Sequence, residues 1–374
     1  MKILRKLFLF LLVALVALVT ACSNSASTNE QSDEKTDQQA TNEDESKETE
    51  KKPEQKDEEK EVAQPFEPLA PSEDAKPLKE TMTEEELAKM PVVEAHGEDR
   101  TRKTPVGETL MDGTTDETDG ILKDYRLVAY YGQPNSTQMG ILGEMEPEAL
   151  MTKLKEQTQA YSDADPDRPA IPTIELITTI AQRDPGPNGK YYHMTSEEDI
   201  DEYAALAKKH NAILMLDVQL GRDTALHQVK LLEKWLKLPY VHVAIDTEFH
   251  VKEGQTPGID LGSVDGSEVQ EVVDYVSSFV EENDLPDKIV LVHQFTDKAV
   301  TNKQVIKPTE NVEVALNFDG YGDYGTKMSL YRKFVRNEPV QYGGFKVFYN
   351  KDKPVLTPAE VLQLDPNPAI INYQ

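Results

Sequence analysis

The chain has 374 residues, 68 acidic against 40 basic, and a formal net charge of −28. No basic run is concentrated enough to follow a nucleic-acid backbone. Cys22 is the only cysteine, which excludes an intramolecular disulfide framework and any cysteine-built metal cluster.

In chain order, residues 1–22 read as a secretory signal. Lys2, Arg5 and Lys6 form a basic start, and Leu7 to Val19 is an unbroken apolar run, shorter than the ~20 residues a transmembrane helix needs. The run closes on Leu18-Val19-Thr20-Ala21-Cys22. This resembles the bacterial lipobox, in which the cysteine becomes the lipidated N-terminus, and implies a palmitate-type acyl anchor in the cell membrane. Residues 23–104 are assigned to an acidic, proline-containing linker. Between Ser23 and Lys60 there are thirteen acidic and six basic residues and no aromatic one. Such a composition buries too little apolar surface to offset its ordering entropy. Within the linker, Thr83-Glu84-Glu85-Glu86 reads as a capping box opening a short helix up to Met90.

Residues 105–374 form the folded domain. Its apolar strand candidates are Leu127–Tyr131, Ala170–Ala181, Ala212–Val218, Val241–Glu248, Lys288–Phe295, Val312–Phe318, Gly344–Tyr349 and Ala369–Tyr373. Helical spacing separates them at Pro147–Tyr161, Ser196–His210, Asp223–Leu238 and Ser267–Glu282, with weaker patterns near 298–306, 326–337 and 357–364. Eight strands alternating with helices predict an α/β fold of the (β/α)₈ TIM-barrel type. No glycine-rich phosphate loop follows the first strand, which weakens a doubly wound sheet. The last outer helix is missing, and either Thr83–Met90 or the segment 105–120 is available to cover that gap.

Polar residues at the C-terminal ends of barrel strands are where such a fold places its chemistry. Asp246 and Glu248, two apart on an extended strand, would share a face roughly 7 Å apart. Paired carboxylates in that position suit acid–base work on sugars; the alternative is that one of them caps backbone N–H groups of the following loop. Asp217 at the end of the third strand is a third carboxylate. Tyr131, Gln133, Glu175, Gln219, Arg222, His293, Gln294, Asp319 and Tyr321 complete the set as substrate-binding candidates. Several have structural alternatives: Glu175 as a buried acid paired with Arg126 or Arg183, His293 as a core histidine, and Arg222 as a partner of Asp223. No H-x-x-x-H or cysteine motif is present, so no metal and no cofactor is assigned. Oxygen ligands follow no strict spacing, however, and Asp217, Asp246, Glu248 and Asp319 could together hold Mg²⁺ or Ca²⁺.

Residues 126 to 330 resemble an uncharacterised family of secreted Gram-positive proteins. The matching pieces are Tyr130-Tyr131-Gly132, Gly140-Ile141-Leu142-Gly143-Glu144, Glu175-Leu176, Leu216-Asp217-Val218-Gln219 with Gly221-Arg222, Asp246-x-Glu248, and Val292-His293-Gln294-Phe295. At the level of fold and D-x-E dipeptide, the chain is similar to glycoside hydrolases of families 18 and 25. There the glutamate is the general acid and the aspartate assists. This chain departs from both: His242 and Ala244 stand where family 18 has aspartates, and strand one lacks the aspartate of family 25. The resemblance implies a lipid-anchored, extracytoplasmic hydrolase-like barrel acting on a cell-wall or extracellular glycan, with Glu248, Asp246 and Asp217 catalytic. The alternative is a non-catalytic carbohydrate- or solute-binding lipoprotein.

Overall fold

Parallel strands covered on both faces need near-continuous apolar runs. Eight of these runs bond to one another in the computed structural model. They are β1 (Arg126–Gly132), β2 (Ala170–Ala181), β3 (Ile213–Gln219), β4 (Val241–Asp246), β5 (Lys288–Gln294), β6 (Val312–Phe318), β7 (Tyr342–Val347) and β8 (Ile370–Tyr373). Each pairs in parallel with its chain neighbour, and β8 returns to β1, so the ring closes into a (β/α)₈ barrel. Past the ring, β2 continues far enough to pair antiparallel with the short strand Tyr192–Met194.

The structure describes residues 64–77, 80, 83–85, Glu94–Ala95, Glu98–Asp99, 116 and 118–374 apart from 337, 339 and 340, all in one unit spanning Glu61–Gln374. The signal, Cys22, the linker up to residue 63, and residues 86–90 and 105–115 lie outside the described residues.

Helices fill the crossovers where the sequence supplies caps. α1 (Pro147–Ala164) opens on a proline at its first turn, where the missing N–H costs nothing. α2 (Glu197–Lys209) starts with Ser196 Oγ accepting from the Asp199 amide, has acids in its first turn and ends on Lys208 and Lys209. Asp223–Leu238 divides into α3 (Ala225–Lys230) and α4 (Glu233–Leu236). α5 (Gly266–Asn283) buries Val269, Val272, Val273, Val276 and Val280 against the barrel. α6 (Tyr324–Tyr331) widens into a π turn at Arg332–Arg336, and α7 (Pro358–Val361) carries a complete Thr357/Glu360 capping box.

Two expectations are corrected. The stretch 298–306 is not one helix: Val300–Thr301 pairs with Val264–Asp265, Asn302 takes a left-handed conformation that a helix interior excludes, and only Lys303–Val305 coils, as a single 3₁₀ turn. Residues 64–72, expected in the linker, run along the N-terminal end of the barrel. There Glu67 and Leu69 amides donate to the Asn211 and Ala170 carbonyls at 2.8 and 2.9 Å, and Phe66 meets Tyr125 edge-on at 6.2 Å.

Candidate active site

A barrel strand sends alternate side chains inward. Counted from the C-terminal ends, the inward positions are Tyr131, Glu175, Asp217 and Gln219, Asp246, His293, Asn317, Lys346 and Asn372. These are tied together beneath the C-terminal mouth. His293 is the hub. Its Nε2 lies 2.6 Å from Glu175 Oε1, and its Nδ1 lies 2.9 Å from Asp319 Oδ1. Asn317 Nδ2 donates to Asp319 Oδ1 at 2.5 Å, Lys346 Nζ reaches Asp319 Oδ2 at 3.2 Å, and Asn372 donates to Glu175 Oε2. Gly344, opposite Asn317, leaves the room this needs, since a Cβ there would sit 2.2 Å from Asn317 Oδ1.

A second arm runs through Tyr131. Its hydroxyl donates to Asp217 Oδ2 at 3.5 Å and accepts from Gln219 Nε2 at 3.3 Å, while the same Gln219 nitrogen lies 3.4 Å from Asp246 Oδ2. Lys346 Nζ sits 3.6 Å from the centre of the Tyr131 ring, which joins the two arms through a cation–π contact.

The Asp246/Glu248 pair departs from the expected geometry. β4 stops at Asp246, and Thr247–Phe249 forms a 3₁₀ turn because Asp246 Oδ1 accepts the Glu248 amide at 3.3 Å. An aspartate bonding backbone two residues on is a turn former, which outweighs strand propensity at the end of the ladder. The turn lifts Glu248 to the mouth, where it is half-buried while Asp246 is buried. Among the described residues, nothing hydrogen-bonds to the Glu248 carboxyl.

Electrostatics divides these groups by role. Burial, reinforced by Asp246 and Asp319, raises Glu248 to about 8. Burial raises Asp246 to about 6, with His293 and Lys346 opposing the shift. Burial and then Asp246 push Asp217 well above the usual carboxylate range. Asp319 goes the other way: burial opposes its charge, but His293 and Lys346 outweigh it and hold it at about 2. Burial likewise disfavours the His293 imidazolium, yet Asp319 and Glu175 overcome this and raise it well above an ordinary histidine. At neutral pH the cluster therefore holds a protonated Glu248 beside an ionised Asp319.

Three expected members lie elsewhere. Gln294, adjacent to an inward position, points outward and donates to the Phe334 carbonyl at 2.6 Å. Arg222 stacks on Tyr191 at 4.0 Å and donates to the Gln255 carbonyl at 2.6 Å, away from the acids. Gln133 accepts from the Asn135 amide at 2.6 Å and lines a separate groove with Ser136, Met139 and His193. Tyr321 sits on the rim at 49% exposure, stacked on Phe295 at 6.1 Å and edge-on to Phe348 at 5.6 Å. The sequence reading missed Lys346. Its signal was parity, because it pairs with Asn372 and follows Gly344 by two. A groove of about 570 Å³ lies to one side, lined by Tyr130, Lys153, Gln157 and Tyr349 among others.

No known protein-family profile and no curated protein matches the chain. Among solved structures, similar folds include an alkaline cellulase K catalytic domain, at 12% identity and TM-score 0.36 over 67% of this chain and 74% of that one. Another is a broad-specificity endoglucanase from Clostridium acetobutylicum, at 13% identity and TM-score 0.39 over 70% of this chain and 89% of that one. Likenesses of this strength bear on neither substrate nor reaction.

Proposed function

We propose that the protein is a lipid-anchored, extracytoplasmic glycoside hydrolase-like barrel acting on a cell-wall or extracellular glycan. The observation that carries this reading is Glu248: half-buried at the mouth, unbonded at its carboxyl, and raised to about 8. A carboxylic acid that keeps its proton at neutral pH can protonate a glycosidic oxygen as the bond breaks. Asp246, ionising near 6, is the carboxylate beside it that can stabilise positive charge on the sugar or activate water. Asp217, fully buried, orients the floor through Tyr131. Tyr321 with Phe295 offers an apolar face for a sugar ring at the rim.

Glu248→Gln keeps shape and removes the proton source. On purified cell-wall and secreted polysaccharides it should lower turnover by ~10²–10⁴-fold, the usual weight of general acid catalysis, with the melting temperature nearly unchanged. Equal turnover in wild type and variant would overturn the assignment. Anchoring is tested separately: Cys22→Ser should move the protein from membranes to the medium, and a variant that still sediments with membranes would refute the lipoprotein reading.

A second reading, a non-catalytic glycan binder, draws on the side groove. There Tyr349, 39% exposed, stacks on Tyr373 at 5.1 Å and donates to Gln157 at 3.0 Å. Tyr349→Ala abolishing glycan retention while Glu248→Gln leaves it intact, in a protein without turnover, would favour that reading.

A further inference from the structure

Beneath Glu248, the floor of the barrel carries more acid than base. Glu175, Asp217, Asp246, Glu248 and Asp319 face His293 and Lys346. Three of these groups converge: one ligand atom each from Glu175, Asp217 and His293 lie within 4.8 Å of one another, and all three side chains are buried. Among the described residues, Asp217 Oδ1 has no hydrogen-bond partner, although its side chain is fully buried. It faces His293 Nε2 at 3.9 Å, on the same side as Glu175 Oε1, which lies 2.6 Å from that nitrogen.

A buried acceptor oxygen without a donor keeps the full cost of its lost hydration. Protonating Asp217 on the oxygen that meets Tyr131 leaves Oδ1 an orphan still. A cation between the three groups satisfies it. We propose that Glu175, Asp217 and His293 form a binding site for a divalent first-row transition metal ion, of which Zn²⁺ is the best fit.

One imidazole and two carboxylates make a ligand set too soft for Ca²⁺ or Mg²⁺, which take oxygen shells, and well suited to Zn²⁺. Zn–N and Zn–O bonds of ~2.0–2.2 Å put tetrahedral ligand atoms about 3.4 Å apart. The 2.6 Å Glu175 contact must open and the 3.9 Å Asp217 contact must close, each by less than one ångström and within the reach of side-chain rotation. The outer shell has the form metal sites use. His293 Nδ1–H donates to Asp319 Oδ1 at 2.9 Å, which fixes the ring, and Asn372 donates to the far oxygen of Glu175. The ion replaces the proton on Nε2 and any proton on Asp217, and these leave to solvent. This site does not depend on the glycosidase reading, and its test uses no substrate.

The test is Zn²⁺ binding to the full-length protein in detergent, stripped with chelator, followed by calorimetry and elemental analysis after desalting. The expected result is one Zn²⁺ per chain, with Ca²⁺ failing to compete. Co²⁺ should give the visible absorption of a low-coordinate N/O site. Asp217→Asn should weaken Zn²⁺ by more than the ~10–100-fold typical of losing an outer-shell partner, and Asp319→Asn by about that range. Circular dichroism checks that each variant folds. If a variant does not fold, the wild-type stoichiometry and Co²⁺ spectrum decide. No retained Zn²⁺ in the wild type, preference for Ca²⁺, or undiminished affinity in folded Asp217→Asn would each overturn the proposal.

Discussion

Glu248 and Asp246 are two residues apart, and one is lifted to the mouth by the turn the other caps. Their ionisation sets the expected pH dependence. Asp246, near 6, must lose its proton to act as the charged partner, so kcat/KM rises through that pH. Glu248, near 8, must keep its proton, so kcat/KM falls above it. The two sites interact, and the apparent values belong to the pair. The expected profile is a bell between about 6 and 8; one rising monotonically past pH 9 would contradict the roles. Elsewhere, Lys327 and Asp352 form a buried ion pair at 2.5 Å, with the lysine also donating to the Lys346 carbonyl at 2.7 Å. Asp352→Asn strands that lysine, and chemical denaturation should register a loss of ~3–5 kcal/mol; a loss under ~1 kcal/mol would mean the pair is solvated. What the sequence showed at this scale was residue type, and what it hid was direction. Asp217, Asp246 and His293 were legible as polar groups ending apolar runs. Gln294 was misplaced because adjacent strand residues face opposite ways, and Lys346 was missed because a lysine in a strand reads as surface.

Among the elements, the strands were the easiest to read, since burial on both faces writes them as continuous apolar runs. The crossovers were harder. Asp223–Leu238 has one helical period but two helices, and residues 298–306 carry helix-like spacing that Asn302 interrupts. Below the barrel, Glu313 accepts the Leu122 amide at 2.9 Å and so pins the 3₁₀ turn Ile121–Lys123 to β6. Burial raises this carboxyl to about 8, against ~4.3 in an unfolded chain. Its stabilising contribution is therefore complete below about pH 4 and is lost as pH rises through about 8. Glu313→Gln keeps the acceptor and removes the charge, so thermal melts between pH 6 and 9 should flatten. A variant as alkali-sensitive as wild type would contradict this.

At the scale of the molecule, the closed ring and the acid-rich mouth follow from eight strands that end in polar groups at one end. The opposite end is sealed in part by residues 64–72, where Ser72 also takes Asp163 through its amide at 2.7 Å and its hydroxyl at 3.0 Å. Composition hid this segment, because a short proline-rich stretch with one phenylalanine reads as spacer. Removing residues 1–77 should lower Tm by ~2–6 °C relative to removing residues 1–62; identical melting would mean the segment adds nothing. The central claim is that Glu248 holds a proton at neutral pH, and it can be tested without knowing the substrate. Carbon-13 labelling of glutamate side chains, with Glu248→Gln to identify the resonance, allows its carboxyl to be titrated by NMR. The expected midpoint is near 8. A midpoint near ~4, as in an exposed glutamate, would contradict the assignment of Glu248 as the acid.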